Sequence, residues 1–63
     1  MSNVVDAMDA LKLALSTEEA LRQAANVEWA NGVHDGPMRQ AHDTAVKNVI
    51  EAAKYLCTVA AQP

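Results

Sequence analysis

PMRQAHDTAVKNVIEAAKYLCTVAA, residues 37–61, is the stretch that decides the fold. Counted in steps of three and four, Met38, Ala41, Ala45, Val49, Ala52, Leu56 and Val59 fall on one line, the signature of an amphipathic helix. Val46, Ile50, Ala53, Cys57 and Ala60 make an adjacent line. The combined apolar face is wider than a two-stranded coiled-coil seam needs. Gln40, Asp43, Lys47, Glu51, Lys54 and Thr58 occupy the opposite face, with Asp43 and Lys47 spaced for an i,i+4 ion pair. Pro37 suits the first helical position, Gly36 the N-cap before it, and Asp35 the positive end of the helix dipole. The helix is expected over about 37–61.

The preceding half supplies a partner for it. Ser2 or Asn3 can cap a first helix, and Val4, Met8, Leu11 and Leu15 give it an apolar stripe. Continued further, that stripe meets Glu18 or Glu19 and then Arg22. Ser16-Thr17-Glu18-Glu19 also has the capping-box form, with Ser16 as N-cap. The N-terminal arm is therefore expected to be kinked or broken, as helices over about 3–15 and 17–31. Gly32 fits the left-handed position after the second of these, where Val33 could fold back on Val27. The short connection to Gly36 favours antiparallel neighbours. The expected fold is all-α: a helical hairpin, one arm kinked and the other straight, that dimerises into a four-helix bundle.

With 63 residues, a net charge of −3 and 51% hydrophobic residues, residues 1–63 are expected to form one small, soluble helical domain. Much of the apolar content is alanine, and the only aromatic residues are one Trp and one Tyr. Alanine favours helix but buries little area, so a single copy has little from which to build a core. Cys57 is the lone cysteine, which excludes an intrachain disulfide and suits a reducing cytoplasm. The apolar runs are too short for a membrane span, and the acidic start, with Asp6 and Asp9, is unlike a signal peptide.

Site chemistry is sparse. His34-Asp35 and His42-Asp43 invite a metal or acid–base reading, but no paired histidines share helical ligand spacing and no Cys-x2-Cys is present. No metal, cofactor or catalytic residue is expected. Cys57 lies near a helix C-terminus on an apolar line and is expected as a small buried hydrophobe. Arg39, Lys47 and Lys54 share one side of the long helix, but Asp43 and Glu51 interleave with them, so nucleic acid is not an expected partner.

The expected function is protein binding. A small acidic helical protein would self-associate and act on another protein as adaptor, inhibitor or regulatory subunit, a size and charge shared by small inhibitors of phages and other mobile elements. Val46, Ile50, Ala53, Cys57, Trp29 and Tyr55 are the candidate interface residues. Trp29 is expected chiefly as a packing anchor beside Met38 or His42. The alternative is a helical oligomer that binds a small molecule or nucleotide between helices, with Trp29, Arg39 and His42 as contacts. Enzymatic activity ranks last, because so short a chain leaves little structure to support a site.

Overall fold

In the computed structural model, which describes residues 3–62, Asn3–Ala30 form one unbroken helix, α1, and Pro37–Ala60 form a second, α2. The two pack side by side as an antiparallel hairpin, and the described residues contain no strand. Neither helix is long and apolar enough to cross a membrane. The proposed cap by Ser2 lies outside the described residues.

The expected break at Ser16 is absent: the residue is exposed inside α1. The inward face of α1 is Val4, Ala7, Leu11, Ala14, Glu18, Leu21, Ala25 and Glu28, all buried or half-buried. That is a regular alternation of three- and four-residue steps, with no change of phase. Bulk misleads here. Met8 and Leu15 are larger than Ala7 and Ala14 but sit one position further round, on the exposed flank. Small side chains at the contact let the helix backbones come close, and the large ones are left beside it. Glu18 and Glu28, which look misplaced on an apolar stripe, each have a partner on or at the start of α2.

On α2 all seven residues of the expected inner line, Met38 through Val59, are buried or half-buried. The helix starts as the sequence implies. Gly36 is the N-cap, with extended backbone (φ −79°, ψ 172°), and Pro37 follows in the first turn. Gly36 has no side chain to cap with, and Glu28 takes over that role: its Oε1 accepts the Met38 backbone N–H at 3.0 Å. Gly36 is buried against the same carboxylate, and a Cβ there would lie 2.6 Å from Glu28 Oε1 and 2.7 Å from Val33 Cγ1. Glycine at 36 is thus a matter of space, whereas Gly32 is a matter of φ, at +87°.

The end of α1 is a Schellman closure. The Val33 N–H donates to the Glu28 carbonyl at 2.8 Å and the Gly32 N–H to the Trp29 carbonyl at 3.0 Å. The one expected ion pair does not form, and another does. Asp43 and Lys47 form no ion pair; Asp35 pairs instead with Arg39, at 3.2 Å. The core is thin: Ala7, Ala45 and Val59 are the buried apolar residues among those described, and no large side chain is completely enclosed. The hairpin is a rod, with Cα extents of 51 × 14 × 11 Å.

Candidate functional site

A hollow opens at the turn end of the rod, where α1, the turn and α2 meet. α1 contributes Arg22, Ala25, Asn26 and Trp29, the turn Val33 and His34, and α2 Arg39, His42 and Asp43. Its volume is about 210 Å³. The three candidate ligand contacts Trp29, Arg39 and His42 thus converge on one hollow, joined by His34, which the sequence offered only for metal or acid–base chemistry, and by Arg22, which it did not offer as a contact. Arg22 lies seven residues before Trp29 on α1, so the two stack on one flank two turns apart. That spacing was the signal that could have found it.

Each side chain has a local cause for its position. Trp29 stacks on His34 with ring centroids 3.9 Å apart and planes inclined by 25°. The Schellman closure turns the chain back and sets His34 against the ring. Trp29 is nonetheless 57% exposed, so it is not the buried anchor that its size suggests. Arg39 Nη1 donates to the His34 carbonyl at 3.0 Å and to Asp35 Oδ1 at 3.2 Å, which ties the turn to the first turns of α2. His42 Nε2 meets Glu18 Oε2 at 2.6 Å across the hairpin, both side chains largely shielded from solvent. The same carboxylate is 3.9 Å from Arg22 Nε, too far for a hydrogen bond.

The α2 N-terminus, ordinarily an attractive place for an anion, is already served by Glu28. Among the described residues no group of three or more His, Cys, Asp or Glu side chains is placed to hold a metal ion.

The hollow also shows which residues share a side of the rod. Met8, Leu15, Arg22 and Trp29 recur at seven-residue steps along α1, as do Arg39, Val46, Ala53 and Ala60 along α2, and Asp43, Ile50 and Cys57 beside them. Arg22, Trp29, Arg39 and Asp43 line one hollow, so these rows lie on the same flank. Toward the turn that flank is charged and aromatic. Toward the open end it is apolar, with Met8, Leu15, Val46, Ile50 and Cys57 exposed and Ala53 half-buried. Cys57 is therefore an exposed thiol in the single hairpin, not a buried one. The interface candidates divide accordingly: Val46, Ile50, Ala53 and Cys57 form one patch and Trp29 lies beyond its turn-side end. Tyr55 is exposed on the other side, as are Leu13 and Val27. Compared with family models, with curated proteins and with solved structures, the chain matches none.

Proposed function

We propose that this protein is a self-associating protein-binding module: two hairpins pack flank to flank as a four-helix bundle. The bundle acts on another protein as adaptor, inhibitor or regulatory subunit. The observation that carries this reading is the apolar patch of Met8, Leu15, Val46, Ile50 and Cys57, exposed beside a core that encloses no large side chain among the described residues.

Area supports a second copy as the occupant. The accessible surface is 4664 Å², whereas a compact monomer of 6.7 kDa exposes about 3,900 Å². The excess, roughly 750 Å², is close to the ~800 Å² that each partner contributes to a standard stable interface. Shape agrees: the radius of gyration is 14.5 Å, against about 10.6 Å for a compact chain of 63 residues. Flank-to-flank pairing thickens the rod and gives the patch the second layer that it lacks.

Leu13, Val27 and Tyr55, on the far side, remain available to a different protein after two copies pair. Exposed Asp6, Asp9 and Glu19 favour a partner with a basic surface. The role is non-catalytic, and a cytoplasmic setting, which would keep the exposed thiol reduced, belongs to the proposal.

Light scattering tests the assembly. The expected mass is that of two chains, and Ile50→Asp is expected to give single chains that stay helical by circular dichroism, with Lys54→Ala leaving the mass unchanged. A single-chain mass for the unaltered protein, or a dimer unaffected by Ile50→Asp, overturns the reading.

A further inference from the structure

The hollow at the turn end brings together an aromatic ring, apolar walls and a guanidinium without a hydrogen-bonded acceptor. We propose that it is a binding site for a small planar aromatic monoanion of the aromatic carboxylate class. The ring would lie against Trp29 with Ala25 and Val33 around it, and the carboxylate on Arg22.

Size sets the first limit. A volume of about 210 Å³ exceeds the ~150 Å³ of an engineered cavity that takes benzene, and leaves room for one ring with one small substituent. A nucleotide is too large to be enclosed.

Charge sets the second. Arg22 and Arg39 line the hollow together with one carboxylate, Asp43. Glu18 is held at 2.6 Å by His42, and Asp35 by Arg39 outside the lining. Asp35 offsets the charge of Arg39, so Arg22 is the guanidinium left to meet an anion, and Glu18 and Asp43 nearby disfavour a dianion.

Donor geometry picks the anchor. Arg39 commits Nη1 to the His34 carbonyl and to Asp35. Arg22 makes no hydrogen bond among the described residues, and its ion partner, the Glu18 oxygen, lies 3.9 Å from Nε. Its fork is free to grip a carboxylate with two parallel bonds. His34, stacked on Trp29, holds the indole in place for the ligand's ring. All of these groups come from one hairpin, at the turn end of the flank and beyond the apolar patch proposed to meet a second copy.

Trp29 is the only tryptophan, so its fluorescence reads the site directly. The intact protein is titrated at constant ionic strength with benzoate, with benzyl alcohol, which keeps the ring but not the charge, and with acetate, which keeps the charge but not the ring. Benzoate is expected to saturate with a roughly millimolar Kd, and the other two to bind about tenfold more weakly or not at all. Arg22→Gln is expected to weaken benzoate at least about fivefold, Arg22→Lys to recover part of the loss, and Lys47→Gln, outside the hollow, to change nothing. A benzoate response that never saturates, that benzyl alcohol equals, or that survives Arg22→Gln overturns the proposal. None of these outcomes alters the mass measured by light scattering, so the two readings fail separately.

Discussion

Glu18 and His42 set the character of the hairpin interior at the level of single residues. Both occupy positions that would ordinarily hold apolar side chains, and each satisfies the other at 2.6 Å with about four-fifths of its side chain shielded. A polar pair in such a seam fixes which residues face each other, because a slipped register leaves a carboxylate against alanine. Removing one member should hurt more than removing both. Glu18→Ala is expected to cost about 1–2 kcal/mol in urea unfolding followed by circular dichroism. Leucine at both positions is expected to be neutral or stabilising, by up to roughly 1–4 kcal/mol. Equal stability of Glu18→Ala and the unaltered chain would mean that the bond contributes nothing.

The two helices differ in how far they could be foreseen, and the difference lies in α1. For α2 the cap at Gly36, Pro37 in the first turn and the whole inner line were legible, because Met38, Val49, Leu56 and Val59 lie on the inward line itself and mark its phase. In α1 the inward positions are held by Ala7, Ala14, Glu18 and Glu28, while Met8 and Leu15 point to the flank. Hydrophobicity alone therefore finds Val4 and Leu11 but strays to the flank at Met8 and Leu15, and the row then seems to fail at Glu18. The partners that make those glutamates acceptable, His42 and the Met38 N–H, are 24 and 10 residues away and appear only once the hairpin closes. The candidate hollow was legible in part for the same reason: Trp29, Arg39 and His42 followed from proximity to the turn, whereas Arg22 required the phase of α1. Ser16 gives a test whose sign separates the two descriptions. As an exposed residue inside a continuous helix, Ser16→Ala should stabilise by roughly 0.5 kcal/mol. As the N-cap of a separate helix, the same change would cost about 1 kcal/mol. Thermal unfolding of the variant decides between them.

For the molecule as a whole, a rod with an apolar strip along part of one flank is a half-finished fold. If two copies complete it, association adds to the stability of each hairpin and the melting temperature must depend on concentration. Raising the protein concentration a hundredfold is expected to add about 2.7 kcal/mol of apparent stability per mole of dimer, visible as a higher midpoint in calorimetry. A midpoint independent of concentration would argue for a hairpin stable by itself. The bond from Glu28 to the Met38 N–H bears on the order in which the chain folds. It and the Schellman closure knit the turn with contacts at most ten residues apart, before any distant layer has met. With the turn closed, each further layer orders only the few residues beyond the last one, so no long loop has to be closed at once. The hairpin is expected to zip from the turn outward, with the open end of the rod closing last and opening first.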